Sequence, residues 1–305
     1  MSAAGNPAAV GATPAGSGWR GFFNQSRGVR VCSCLLLAIA VLVVFGPLLS
    51  PYAIDQVDWQ HIAEGPSWSS GHWFGTDNNG RDLYVRTLRG GQISLLVGIC
   101  ATAISLLIGV SYGAIAGYAG GRIDQVMMRL VDVLYAMPFM FFVILLMVLF
   151  GRNLLLMFIA IGAINWLDMA RIVRGQTLSL KHREFVDAAR ALGVPAAGIL
   201  RRHIVPNMMN VVVVYASLAV PQMILVESFL SFLGLGVQEP MTSWGQLVSL
   251  GAREMESAPW MLLFPASFLA VTLYCLNVLG AALRRYNDAL AGSLRGAACA
   301  CCYWR

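Results

Sequence analysis

Lysine is almost missing from this chain: of 21 basic residues, Lys181 is the single lysine and all the others are arginine. A loop that cradles nucleotide phosphates as G-x-x-x-x-G-K-[ST] needs a lysine behind its glycine, and Lys181 follows Leu-Ser-Leu, so no such ATP loop exists here. Charge of either sign is scarce, at 12% of 305 residues, while 58% are hydrophobic and the mean hydropathy is +0.68. A large soluble enzyme cannot cover its surface from that composition. Catalytic patterns are missing as well. The four histidines, His61, His72, His182 and His203, form no H-E-x-x-H, the G-x-S-x-G at Gly109 to Gly113 lies inside a long apolar run and not at a strand-to-helix elbow, and no paired carboxylates share a membrane face at helical spacing. Seven cysteines are scattered rather than spaced as a disulfide framework, and neither glycine nor proline reaches collagen-like or disordered levels. Neither an enzyme nor a metal site is expected, and the formal charge of +6 has to be located before it is read as an attraction to nucleic acid.

What is present is long apolar runs. Six stretches are long enough to cross about 30 Å of hydrocarbon at about 1.5 Å per residue: 31–50, 92–118, 130–151, 154–178, 207–236 and 259–282. Each is continuously apolar rather than alternating, so helices are expected and a barrel is not. The fourth carries Asp168, Arg171 and Arg174 in its second half. The first 30 residues are rich in Gly, Ala and Pro and read as a flexible tail, and the run ending at Gly46-Pro47 reads as a retained anchor, not a signal peptide.

Charge follows the membrane. With a cytoplasmic N-terminus, sixteen basic residues fall on the inner side and five, Arg81, Arg86, Arg89, Arg152 and Arg253, on the outer side. That bias places both termini in the cytoplasm. The 179–206 segment is then the largest inner loop. Phe185, Ala188, Ala189 and Leu192 recur at i, i+3, i+4 and i+7, which predicts a short helix with a small apolar face, ended by Gly193. Pro195 opens a second short helix and Pro206 marks its exit. On these residues alone, an amphipathic pair resting on anionic membrane lipid is the alternative.

Asp187-Ala188-Ala189, Gly193 six residues after Asp187, and His203-Ile204-Val205-Pro206 resemble the Glu-Ala-Ala-x3-Gly loop of permease subunits in binding-protein-dependent ABC importers. More narrowly, the chain resembles the C-type permeases of dipeptide and oligopeptide importers. Four further stretches carry this likeness: Phe74 to Asp77 with Gly80-Arg81-Asp82, Arg89 to Gly98, Ala170 to Leu180, and Glu227 to Gly236 with Ser243-Trp244-Gly245. It covers roughly residues 30–280. Asp187 stands where the family usually has Glu, and the chain diverges after Gly280 into a tail containing Cys299, Cys301 and Cys302. Three cysteines without a spaced fourth ligand make a poor zinc site.

The resemblance implies an all-α integral membrane protein of the type I ABC importer permease kind, in a bacterial cytoplasmic (inner) membrane. Its parts would be a tail (1–30), a first span with an external segment (31–91), a five-helix core (92–282) holding the loop, and a divergent C-terminal tail (283–305). It implies a pore subunit for peptide import; nickel or glutathione import by the same architecture, and an autonomous carrier or channel, are the alternatives. The implied partners are a homologous second permease, two P-loop ATPases that bring ATP and Mg, and an external solute-binding protein, with no cofactor in this chain and no nucleic acid. The ATPase-coupling residues would be Asp187, Ala188, Ala189, Leu192, Gly193, His203 and Pro206. Asp77, Arg81, Asp82 and Trp244 would stand near the outer mouth, although turn and helix-cap duty suits the Asp and Asn residues of 77–82 better than calcium binding.

Acids inside apolar spans are expensive, which makes Asp132, Asp168 and Glu227 candidates for the pathway or its gate. Asp132 follows Arg129 by three residues and Asp168 precedes Arg171 by three, so intrahelical pairing is expected for both. Glu227 has no basic residue nearby in sequence; gating and a structural hydrogen bond to a neighbouring helix are both open to it.

Overall fold

The computed structural model describes residues 26–150 and 154–303, with the side chains at 139, 140, 147, 150, 154–156, 163, 164 and 290–303 excepted. The described residues form helices and no strands beyond two isolated bridges, Val57 to Arg81 and Thr76 to Asp82. Helix α1 (Arg27–Phe45) starts where the Ser26 hydroxyl accepts the Val29 N–H at 3.3 Å and ends in a 3-10 turn at Gly46–Leu48. The expected 1–30 tail falls almost wholly outside the described residues, and its last part, with Arg27 and Arg30, is already helical.

Helix α2 (Leu83–Ala119) is 37 residues long and starts well before the expected 92. At about 1.5 Å per residue it measures roughly 55 Å, far beyond the hydrocarbon thickness. Arg86 and Arg89 hid this extension, because charges read as loop; the partners of Arg86, described below, are what let it sit inside a helix. The expected third span is two helices, α3 (Gly121–Ala136) and α4 (Phe139–Phe150). Pro138 explains the break: its ring has no N–H to donate and pushes the residue before it out of the helical region, and Met137 is extended at φ −77°, ψ 134°. Helix α5 (Leu154–Leu180) follows.

Two short helices, α6 (Glu184–Ala191) and α7 (Ala196–Ile199), lead through a π-helical turn (Leu200–Ile204) into α8 (Val205–Phe232). Helix α9 (Trp244–Arg253) and the long α10 (Trp260–Tyr303) complete the chain. The α10 backbone runs through residue 282, where the tail was expected to begin; the side chains of Cys299, Cys301 and Cys302 lie outside those described. Among the described residues, four segments are long and apolar enough to cross a membrane: Arg27–Leu48, Leu83–Ala119, Ala196–Phe232 and Trp260–Ala289. They coincide with the first, second, fifth and sixth expected spans.

Helix α2 is the axis of the bundle and lies along α5. Gly109, Gly113 and Gly117, four residues apart, form the seam. A Cβ on Gly109 would stand 2.6 Å from the Met169 Cβ, one on Gly117 would stand 2.8 Å from the Thr177 Cβ, and one on Gly113 would meet the Ala170 carbonyl oxygen. Small residues at this spacing let two backbones approach within van der Waals reach, which is how helices associate when lipid is as apolar as the side chains.

Candidate functional site

The α6–α7 loop is built as a rigid bracket. Val186 and Ala189 of α6, Ile199 of α7 and Ile204 of the π turn are buried in one apolar cluster with Ala114 of α2, Met169 and Val173 of α5, and Met208 and Val212 of α8. Between α6 and α7 the chain reverses at Gly193, whose φ of +77° lies in the left-handed region that other residues enter at a penalty. Nothing lies within 4 Å of where a Gly193 Cβ would be, so the demand is conformational, not steric. The single lysine also takes part: Lys181 Nζ donates to the Gly117 carbonyl at 3.1 Å, neutralising the C-terminal end of α2.

The expected small-residue face divides. Ala189 turns inward beside Val186, while Asp187 and Ala188 are exposed and Leu192 is 84% exposed, with Phe185 at 39%. An apolar side chain so open, beside a helix whose other face is fixed in the core, leaves a surface with no counterpart among the described residues. Among the described residues Asp187 bonds Arg190 on its own helix, at 3.0 Å. His203 is half-buried, and its carbonyl accepts from the Asn207 side chain at 2.6 Å. Pro206 lies exposed in the first turn of α8, where the π turn has already moved the bonding: the Val205 N–H reaches back to Leu200 O.

Asp132 pairs across helices and not along its own. Asp132 bonds Arg171 of α5 at 2.9 Å, and the Arg171 guanidinium lies 4.4 Å from the Tyr135 ring centre. This corrects the expected intrahelical pairs with Arg129 and with Asp168. A second α3–α5 bridge, Asp124 with both Nε and Nη2 of Arg174 at 2.6 Å each, was not expected at all. That fork is why the Asp124 carboxyl lies below the usual carboxylate range. Asp168 is half-buried and lines a groove of about 320 Å³ with Tyr135, Asn165 and Val226.

Glu227 is fully buried. Its two oxygens accept from Ser94 Oγ of α2 at 3.1 Å and Ser231 Oγ, one turn along α8, at 2.7 Å. Ser94 Oγ in turn accepts the Trp244 backbone N–H at 3.1 Å, and the α9 cap Ser243 bonds Ser231 at 3.3 Å. One carboxyl therefore ties α2, α8 and α9 into a knot. The i, i+4 spacing of Glu227 and Ser231 was visible in the sequence; Ser94, 133 residues away, was not.

In the segment between α1 and α2, Asp82 caps α2 by accepting the Val85 N–H at 3.0 Å, and Asp77 closes a turn by accepting the N–H groups of Asn79 and Arg81 at 2.8 Å each. Asp77, Asp82 and Trp244 are all buried. Trp244 donates its indole N–H to Thr87 O at 2.8 Å and anchors α9 to α2 rather than facing a mouth. Arg81, by contrast, reaches Glu239 at 3.1 Å, and that bond holds the Glu239 carboxyl low. Sequence reasoning missed Arg86, which lies beside Asp77 and Glu239, and the approach of His61 and His72 to Asp58.

Comparison with known proteins supplies the context for this arrangement. The model of a binding-protein-dependent transport system inner membrane component matches residues 109–291, and that of the N-terminal TM domain of oligopeptide transport permease C matches residues 13–66. The chain is 57% identical over 266 residues to the oligopeptide transport system permease protein OppC of Escherichia coli (strain K12), covering 87% of this chain and 88% of the relative. It is 55% identical over 270 residues to the protein of the same name in Haemophilus influenzae, covering 88% and 86%. With the dipeptide transport system permease protein DppC of Bacillus subtilis (strain 168) it shares 46% identity over 262 residues, covering 86% and 80%.

Proposed function

This chain belongs to the family of binding-protein-dependent transport system inner membrane components, and on that premise we propose that it is a pore subunit of an ATP-driven peptide importer. It crosses the cytoplasmic membrane six times with both termini inside, α3–α4 and α5 supplying the two crossings beyond the four long apolar segments. The sixteen-to-five distribution of basic residues supports this orientation. Peptides are the cargo named for its oligopeptide and dipeptide relatives.

The observation that carries the mechanism is the outer face of α6, unpartnered among the described residues, on a loop locked into the core. Ala188, Leu192 and the Gly193 turn offer a small apolar surface to a cytoplasmic ATPase. Val186, Ala189, Ile199 and Ile204 tie that surface to α2, α5 and α8, so a push delivered there moves helices instead of deforming a loop. ATP and Mg are bound by the two ATPase subunits, and this chain catalyses nothing. A groove of about 1010 Å³ between α2 and α8, lined by Leu106, Val110, Ala114, Leu200, Val205 and Met209, supports pairing with a second, homologous permease. An external binding protein delivers the peptide.

The test is gentle purification from the native membrane, mass spectrometry of stoichiometric partners, and reconstitution in liposomes. A P-loop ATPase and a second permease are expected, with uptake that requires ATP. Uptake by the chain alone without ATP would establish an autonomous carrier instead. Gly193→Val should uncouple ATP hydrolysis from uptake while insertion and assembly persist.

A further inference from the structure

Asp58, His61 and His72, in the segment between α1 and α2, bring one possible ligand atom each within 4.8 Å of one another. His72 is the anchor. It is fully buried, its ring stacks on Tyr52 at 4.2 Å between centres, and its Nδ1 lies 2.9 Å from Asp82 Oδ1. Asp82 is itself fixed by capping α2. With Nδ1–H donating to that carboxylate, the imidazole is held in one orientation and one tautomer, and Nε2 presents its lone pair.

Among the described residues that nitrogen has no hydrogen-bond partner. It points at Asp58 Oδ2, 3.6 Å away, and the same oxygen lies 2.8 Å from His61 Nδ1. A hydrogen-bond network alone satisfies Asp58 and His61 but strands a buried acceptor on His72, an arrangement that folded proteins avoid. A cation between the three groups satisfies all of them. Four ligands at about 2.0–2.1 Å around a tetrahedral ion stand roughly 3.4 Å apart. The spacings of 2.8 and 3.6 Å bracket that value, so an ion would enter by parting the Asp58–His61 bond.

We propose that Asp58, His61 and His72 form a zinc-class divalent metal site, with Asp82 as the positioning residue for His72. Two imidazoles and one carboxylate suit zinc and exclude calcium and magnesium, which take oxygen. Glu64 stands behind His61 as Asp82 stands behind His72: its Oε2 lies 3.8 Å from His61 Nε2, the ring nitrogen that faces away from Asp58, and has no hydrogen bond among the described residues, so the fourth position is left open. The ion would staple residues 58–64 to the stretch that leads into α2, stabilising the folded segment by mass action.

The experiment uses the full chain in detergent, stripped with a chelator, dialysed against Zn2+, then assayed for bound metal and melted with and without it. Asp58→Asn and His61→Ala are the informative variants because both side chains are partly exposed, at 24% and 33%. His182→Ala is the control. One tightly held zinc per chain is expected in the wild type and the control, with about 100-fold weaker binding in either variant and a zinc-dependent rise in melting temperature confined to the wild type and control. Co2+ replacing zinc should give a spectrum of nitrogen and oxygen ligands, without the sulfur charge-transfer band that the tail cysteines would produce. Absence of stoichiometric zinc, or zinc held equally well by His61→Ala and Asp58→Asn, would overturn the site.

Discussion

Arg86 Nη1 lies 2.6 Å from Asp77 Oδ2, with the arginine side chain 1% and the aspartate 7% exposed. This pair closes the first turn of α2 onto the segment that precedes it, and Glu239, at 3.7 Å from Arg86 Nη2, joins it to the loop between α8 and α9. Removing one member of a buried pair leaves a desolvated charge. Asp77→Ala should therefore destabilise the folded chain by about 3 to 5 kcal/mol, and Asp77→Asn by less, since the turn-closing acceptor survives. Thermal melts in detergent would check the ranking; a neutral Asp77→Ala would mean that Glu239 alone suffices.

Glu227 makes a different demand. Its truncation to Ala would strand the hydroxyl donors of Ser94 and Ser231 inside the bundle, at about 1 to 3 kcal/mol for each unsatisfied group. Loss of α9 docking should accompany it, read as new protease sensitivity in the 233–259 stretch. Glu227→Gln keeps acceptor capacity and should retain most of the resistance.

Gly113 and Gly175 offer a matched comparison. A methyl group on Gly113 meets the Ala170 carbonyl, and overpacking of this kind destabilises by about 1 to 3 kcal/mol. On Gly175, in the exposed part of α5, it meets nothing within 4 Å, so Gly175→Ala should be neutral or stabilising by up to about 1 kcal/mol through helix propensity. Melting both single variants side by side decides whether the seam, rather than glycine content, sets the spacing of α2 and α5.

Asp124 predicts an acid dependence. Its carboxyl lies below the ordinary 3.8 chiefly because Arg174 donates to both of its oxygens. A folded-state value below the unfolded one contributes stability that is fully present above the unfolded value and is lost as pH falls through the folded one. Melting temperature should thus drop as pH falls below about 4, and Asp124→Asn should flatten that part of the curve while lowering stability at neutral pH.

Leu192 separates folding from coupling. At 84% exposure it contributes little to the chain's own packing, so Leu192→Ser should change stability by no more than about 0.5 kcal/mol. ATP-driven peptide uptake should nevertheless fall severalfold, measured in liposomes holding the assembled importer.

The parts legible in the sequence were those set by local pattern. The long apolar runs located α1, α2, α8 and α10, the Gly193 turn was placed correctly, and the short helix before it appeared at Glu184–Ala191. What escaped was fixed by partners distant in sequence. Arg86 disguised the first turns of α2 because its counterion lies in another turn, and Asp132 found Arg171, 39 residues on, instead of Arg129. Pro138 stood in plain view, but an uninterrupted apolar run outweighed it. The approach of His72 to Asp58 and His61 depends on the fold of the whole 51–82 segment, and neither alternation nor helical spacing encodes it.

The π turn at Leu200–Ile204 joins α7 to α8 without interrupting the helix, so residues 196–232 form one rod of 37 residues. At about 1.5 Å per residue it is roughly 55 Å long, and a tilt of about 5° at the Ala196 end would carry the Phe232 end through about 5 Å. Phe232 is the residue whose carbonyl receives the Ser249 hydroxyl of α9. The opposite face of the molecule therefore registers a small rotation at Ala196 as a displacement wider than a water molecule.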